Sequence, residues 1–201
     1  MSYMGGKNVD ELFRQNGGQL RMSQALEKGI SRSLLYSLRD KGRIVQVTRG
    51  IYRLAELPEH RDPDLCVVSL RYPKAVICLI SALSFHDLTT QIPREISIAL
   101  PRGSRAPTIA QPPVRPFFLS GQAYEAGIHE HNIDGVRVKV YVPEKTLADC
   151  FRFRNKLGID IFLEALRMYK AAGHMKPGRI MEYARICGVE NAIRPYLEAG
   201  L

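Results

Sequence analysis

The sequence predicts an α+β protein in two parts: a small N-terminal domain of helices and a hairpin, then a larger α+β domain with a helical C-terminal tail. Two observations predict this division. The first 56 residues contain short helix and strand patterns in a fixed order, and they hold most of the excess positive charge. A polar stretch with two prolines, residues 57–63, separates them from a longer region of mixed patterns.

The composition indicates a folded globular protein. Of 201 residues, 45% are hydrophobic and 24% charged, which excludes a mainly disordered chain. The sequence has no apolar run long enough to span a membrane and no apolar leader at its start, so we expect a cytoplasmic protein that does not contact membranes. The four cysteines form no CxxC pair, and we expect them to be buried thiols.

The N-terminal region begins with three predicted helices. Asn8 and Glu11 have the spacing of a capping box, which predicts a first helix over residues 8–16. Residues 19–22 are predicted to be extended. Ser23 and Ser31 are the expected N-caps of the second and third helices, each of which ends at a glycine.

The period of the pattern changes after the third helix. Residues 43–47 and 51–54 are β-prone, and the Thr-Arg-Gly between them is typical of a hairpin turn. Helix, strand, helix, helix and hairpin is the order of a winged helix-turn-helix, whose third helix enters the major groove of DNA. We therefore predict a DNA-binding domain over residues 1–56.

The charge pattern agrees with this interpretation. Residues 31–53 carry six basic residues and one acid, so +5 of the net charge of +9 lies in this segment. In the third helix the leucines form one stripe, and arginine and tyrosine form another that is expected to face outward. The candidate DNA-binding residues are Arg32, Ser33, Tyr36, Arg39, Lys41, Arg43 and Arg49.

These residue types suit different contacts with DNA. Arg32 and Arg39 can bind a phosphate or the guanine edge with two hydrogen bonds. Ser33 and Tyr36 can donate hydrogen bonds to phosphates or bases. For Tyr36, partial burial at the flank of the helix is an equally good interpretation. The other three lie at the helix end and in the hairpin turn, where a cation is expected to bind the backbone.

The C-terminal domain is predicted over residues 64–201, after the linker at 57–63. Helices are expected over 64–71, 75–86 (after a short strand), 143–156, 160–172, 178–187 and 189–199. Strands are expected over 95–100, 115–119 and 137–142, the last preceded by an Asp-Gly turn.

Possible catalytic sites are incomplete in the sequence. His129 and His131 alternate on one strand face without a third metal ligand nearby, so an exposed strand is the preferred interpretation. Residues 102–105 (RGSR) faintly resemble a nucleotidyltransferase phosphate loop, but Asp134 has no partner carboxylate to hold Mg²⁺. We therefore expect no catalytic residue, no metal and no cofactor.

Several segments resemble a known family. They are 17–22 (GGQLRM), 29–31 (GIS), 34–38 (LLYSL), 42–52 (GRIVQVTRGIY), 77–83 (ICLISAL), 92–93 (IP), 96–100 (ISIAL) and 144–150 (EKTLADC). Together they are similar to the AbiEi antitoxins of type IV toxin–antitoxin systems. The last block is the most distinctive, and the resemblance extends over roughly residues 8–197.

The resemblance implies a bacterial protein with two activities. Its winged domain would bind inverted repeats in its own promoter, as a possible dimer, and repress the operon. Its C-terminal domain would counteract a cognate nucleotidyltransferase toxin, generally without a stable complex between the two proteins. The resemblance assigns DNA contact to Arg32, Ser33, Tyr36 and Arg39 of the third helix and to Arg49 in the wing.

Two alternatives remain open at this stage. The chain could be a stand-alone winged-helix regulator whose C-terminal domain senses a ligand or dimerises. It could also be an enzyme acting on nucleic acid, in which case Mg²⁺- or Zn²⁺-dependent turnover would depend on His131 or Asp134.

Overall fold

The structure is a computed structural model that describes residues 6–57, 62–109, 111–173 and 175–199. It is α+β, as predicted. Its contacts divide the chain into two compact units, residues 1–73 with 131–138, and residues 74–130 with 139–201. The first unit thus includes residues 64–73 and 131–138, which lie beyond the predicted domain 1–56. The predicted linker, 57–63, falls largely on residues 58–61, which are outside the described residues.

The first six elements have the predicted order of helix, strand, helix, helix and hairpin. They are α1 (Gly6–Gln15), β1 (Gln19–Arg21), α2 (Met22–Glu27), α3 (Arg32–Asp40), β2 (Ile44–Thr48) and β3 (Ile51–Leu54), followed by α4 (Pro63–Arg71). The three strands form an antiparallel sheet in the order β1-β3-β2. The central strand therefore pairs on both sides, and the hairpin strand β2 lies at one edge.

Only one of the three predicted helix caps is correct. Ser31 accepts a hydrogen bond from the Leu34 backbone N–H at 3.2 Å, as expected of an N-cap. The capping box from Asn8 is wrong, because α1 already begins at Gly6. The cap at Ser23 is also wrong, because α2 follows β1 directly and the Gln24 side chain accepts from the Arg21 N–H at 3.1 Å.

The core of this region forms where the helices cover the sheet. Leu35 and Leu38 of α3, Leu20 of β1, and Tyr52 of β3 are at most 3% exposed and pack in one cluster. Ile44 of β2 completes it. Leu35 and Leu38 of α3 are therefore buried as predicted, while Leu34 is partly buried against the same cluster, and the helix has a fixed orientation relative to its own sheet.

A close backbone contact lies inside the first unit, between Gly17 and Gly135. Both residues have positive φ, at +72° and +84°. A Cβ placed on Gly17 would lie 2.4 Å from the Gly135 carbonyl oxygen. Only glycine satisfies both the backbone angle and the spacing at this contact.

The remaining elements contain the larger sheet and most of the helices. They are β4 (Val76–Ile77), α5 (Leu79–Phe85), β5 (Ile96–Pro101), β6 (Val114–Leu119), α6 (Gln122–Glu125), β7 (Ile128–Ile133), β8 (Val136–Tyr141), α7 (Pro143–Arg152), α8 (Arg154–Leu157), α9 (Ile159–Ala171), α10 (Pro177–Ile186) and α11 (Glu190–Glu198). The strand order is β6-β5-β4-β8-β7. β4 pairs antiparallel with β5 and parallel with β8, so the sheet is mixed.

One predicted helix is divided in the structure. The helix expected over 143–156 is two helices, because α7 ends at Arg152 and α8 starts at Arg154. The apolar run 75–86 contains the short strand β4 and then helix α5, as predicted. Within the described ranges no helix is long and apolar enough to cross a membrane.

Helix α7 is the centre of the second core. All eight residues from Glu144 to Phe151 are buried, including Lys145 and Asp149, which are at most 1% exposed. These two side chains pair across one helical turn. The Lys145 Nζ also lies 4.3 Å from the centre of the Tyr141 ring, and the Cys187 thiol donates to Asp149 at 3.2 Å. The four cysteines are buried free thiols, as predicted.

Candidate nucleic-acid interface

Helix α3 has an apolar face that is buried and a polar face that is exposed. Leu35 and Leu38 anchor it in the core, and Ser31 fixes its first turn. The exposed face carries four of the predicted DNA-binding residues: Arg32, Ser33, Tyr36 and Arg39. Tyr36 is 41% exposed, so its side chain is available for contact and is not buried at the helix flank.

Arg39 is held in position by its two neighbours. Its Nε and Nη2 atoms donate to one carboxylate oxygen of Asp40 at 3.0 and 2.8 Å. Its guanidinium lies 5.2 Å from the centre of the Tyr36 ring. The hydrogen bond to Asp40 raises the pKa of Arg39 above its ordinary value. Because the pair is exposed, water screens it, and a phosphate or base can replace Asp40 as the acceptor.

The first turn of α3 presents a cation and a hydroxyl. Arg32 is exposed, and within the described residues it forms no ion pair. The Ser33 hydroxyl lies 2.9 Å from that of the capping Ser31. A serine held in this way and an unengaged arginine are both suited to a phosphate, which accepts hydrogen bonds from either group.

The two cations after α3 differ in their surroundings. Lys41 is the exposed C-cap residue of the helix. Arg43 forms an ion pair with Asp10 of α1, so this side chain also ties the hairpin to the first helix. Its charge is exposed to a similar extent as that of Arg39, with side chains 39% and 41% accessible.

The hairpin turn is fixed by contacts that the sequence did not indicate. The Arg49 side chain is exposed, while its carbonyl oxygen accepts a hydrogen bond from Arg71 Nη1 at 2.9 Å. The next carbonyl, that of Gly50, accepts from the Met22 N–H at 2.8 Å. The turn that carries Arg49 is thus held at the start of α2 and the end of α4.

Arg71 therefore places a further cation at this turn, close to Arg21. Burial and the nearby charge of Arg71 lower the pKa of Arg21. Neither residue is among the seven positions predicted from the sequence. Arg71 lies 22 positions from Arg49, in a helix assigned to the other predicted domain, and no local pattern indicates such a contact. The clustered cations form a region of positive potential that attracts polyanions.

The other candidate sites in the sequence are the two histidines of β7 and residues 102–105. His129 and His131 lie on strand β7, and a strand at this position was the preferred interpretation of the sequence. Across the described parts of the chain, no group of three or more His, Cys, Asp or Glu side chains is placed to hold a metal ion. Residues 102–105 follow β5 at the end of the sheet.

The comparisons with known proteins give a match in the N-terminal region. Residues 8–55 match the model of a family described as a transcriptional regulator, the AbiEi antitoxin. The predicted resemblance is therefore confirmed over these residues, which contain all seven candidate DNA-binding positions. The segments between residues 77 and 150 that also suggested the family lie outside the match. No curated protein matches the chain.

Proposed function

We propose that this chain is a DNA-binding autorepressor of the AbiEi type. Residues 1–56 would form a winged helix-turn-helix, with α3 as the recognition helix and the β2–β3 hairpin as the wing. The observation that supports the proposal is the exposed face of α3, which carries Arg32, Ser33, Tyr36 and Arg39. The opposite face of the helix is anchored in the core by buried leucines. Arginine and tyrosine on a rigid helix are suited to the major groove.

The proposed roles follow the surroundings of each side chain. Arg39 would read a base, since Tyr36 and Asp40 restrict its orientation before DNA binds. Arg32 and Ser33 would bind phosphates at the first turn of α3. Lys41, Arg43 and Arg49, with Arg71 behind the hairpin turn, would set the register of the protein on the duplex.

The direct test is DNA binding by the full chain. Fluorescence anisotropy with the upstream region of its own gene should show tighter binding than with a shuffled duplex of equal length. If about six phosphates are contacted, log K should fall with log salt with a slope near −5. Arg49→Ala should weaken binding to both duplexes equally and reduce the slope by about 1. Equal affinity for the two duplexes would contradict sequence-specific repression.

We further propose that the protein is an antitoxin that counteracts a cognate nucleotidyltransferase toxin without a stable complex. This part rests on the family description and on the resemblance of residues 77–150. Co-expression of the full chain with the product of the adjacent gene should restore growth, while co-purification should recover little toxin. Failure to restore growth would leave a regulator without antitoxin activity. We expect no enzymatic turnover and a cytoplasmic location.

A further inference from the structure

The second unit contains a pocket of about 560 Å³, outside the proposed DNA interface. Its wall includes the first turns of α7 and α10, the last part of α9, and the residues that follow α5. This volume is within the range of about 300–1,000 Å³ that small-molecule sites occupy. The pocket is therefore large enough for an organic ligand, and its lining indicates which kind.

The inner part of the pocket presents a buried carboxylate. Glu144 is 7% exposed, and its Oε1 accepts a hydrogen bond from the Tyr169 hydroxyl at 2.8 Å. Burial and this hydrogen bond raise the pKa of Tyr169, so the hydroxyl keeps its proton and remains a donor. Among the described residues, Glu144 has no second hydrogen-bond partner. Its other oxygen is an acceptor held in a fixed position, suited to a ligand N–H or O–H.

The histidine in the pocket wall is also an acceptor. His86 Nε2 lies 2.8 Å from the Tyr141 carbonyl oxygen, which can only accept, so Nε2 carries the proton. Burial lowers the pKa of His86, which favours the neutral ring at pH 7. In that state Nδ1 accepts hydrogen bonds, and the histidine adds no positive charge to the inner wall.

Two cations stand at the outer side of the pocket. Lys176 and Arg179 are exposed, and neither forms an ion pair within the described ranges. Arg179 is directed by Tyr183, whose hydroxyl lies 3.3 Å from its Nη2. The first turns of α7 and α10 add positive helix ends to the same wall. The outer side is thus suited to an anion, and the inner side to hydrogen-bond donors.

We propose that this pocket binds a sugar phosphate, either free or as part of a nucleotide. The phosphate would contact Lys176 and Arg179, and the sugar hydroxyls would donate to Glu144. A carboxylate that accepts from sugar hydroxyls is an established arrangement in nucleotide sites. A free phosphate would leave most of the volume empty and would gain nothing from the buried carboxylate. The proposal does not depend on DNA binding.

Isothermal titration calorimetry on the full chain tests it with three probes: ribose 5-phosphate, AMP and inorganic phosphate. We expect ribose 5-phosphate or AMP to bind with Kd of about 1 mM or tighter, and at least about tenfold more tightly than inorganic phosphate. The tighter of the first two distinguishes a free sugar phosphate from a nucleotide. Equal binding of all three, or no binding, would overturn the proposal.

Variants then locate the site. Arg179→Ala should weaken the preferred probe about tenfold or more, because a charge-assisted hydrogen bond is lost. Arg167→Ala, which removes an exposed arginine of α9 outside the pocket, is the matched control. In Glu144→Gln the amide oxygen can still accept a hydrogen bond from Tyr169, so we expect the fold to be preserved. This variant should weaken the binding of the sugar phosphate without weakening the binding of inorganic phosphate. A Glu144→Gln protein with unchanged preference, or an equal loss in the control, would refute the assignment.

Discussion

Helices α3 and α7 use similar residues in opposite ways. Each is about ten residues long and contains leucine together with positive and negative side chains. Helix α3 buries Leu35 and Leu38 and exposes its arginines, whereas α7 buries Lys145 and Asp149 as completely as its leucine. The comparison shows that charge on a helix identifies an outer face only when that helix lies at the surface.

The energetic consequences of the two arrangements differ as well. The exposed Arg39–Asp40 pair is screened by water and can exchange partners. The Lys145–Asp149 pair has lost its hydration, so each charge depends on the other and on Tyr141 and Cys187. We expect charge changes in α3 to alter binding and charge changes in α7 to alter stability.

The largest expected effect is on α7. Lys145→Met leaves Asp149 buried without its partner and should lower the free energy of unfolding by about 3–5 kcal/mol. Urea unfolding followed by circular dichroism measures it, with Arg39→Met as the exposed counterpart that should leave the midpoint unchanged. The double variant Lys145→Met, Asp149→Leu should recover most of the loss. A single variant as stable as the wild type would show that the buried pair does not support α7.

The next effect concerns the contact between Gly17 and Gly135. Gly17→Ala adds a methyl group against the opposing backbone as well as strain at positive φ, and should cost about 2–4 kcal/mol. Gly29→Ala is the control, because Gly29 has φ +84° with nothing within 4 Å, and should cost about 1–2 kcal/mol from strain alone. The difference between the two urea midpoints isolates the close contact. Equal midpoints would mean that the backbones can separate freely.

A third effect tests the binding side of the comparison. Arg39→Ala should lower the affinity for the preferred duplex about tenfold to a hundredfold, and should lower the affinity for the shuffled duplex much less. Asp40→Ala removes both a negative charge and the present acceptor of Arg39, and should strengthen binding to both duplexes. Anisotropy titrations at a single salt concentration measure both variants. An Arg39→Ala variant that loses affinity equally for both duplexes would reassign Arg39 to phosphate contact.

The smallest effect is the pH dependence at His86. Burial lowers the pKa of this histidine below its ordinary value of 6.5, despite the opposing Tyr141 hydrogen bond and the charges of Glu144 and Asp87. The unfolded chain therefore binds the proton more readily, so stability is present above pH 6.5 and is lost as the pH falls below it. Urea midpoints between pH 7.5 and 5.5 should fall less for His86→Gln than for the wild type. Parallel curves would contradict a depressed pKa.

The sequence alone determined the elements whose signals are local. The leucine stripe of α3, the Ser31 cap and the β2–β3 hairpin follow from periodicity and turn chemistry between neighbouring residues. The exposed Arg and Tyr positions follow from the same helical phase. The caps at Asn8 and Ser23 were wrong because other residues extend or begin those helices, and local patterns fix element ends poorly.

Tertiary structure alone decided the features that join distant segments. Arg71 reaches the Arg49 turn, Gly135 meets Gly17, and Glu144 meets Tyr169 across 25 residues. The sequence of helix α7 contains several charged residues, which is typical of a surface helix. The helix is nevertheless buried, because strands and helices from elsewhere in its unit surround it. Burial depends on which surfaces pack together, and that information is shared among many positions and carried by no single motif.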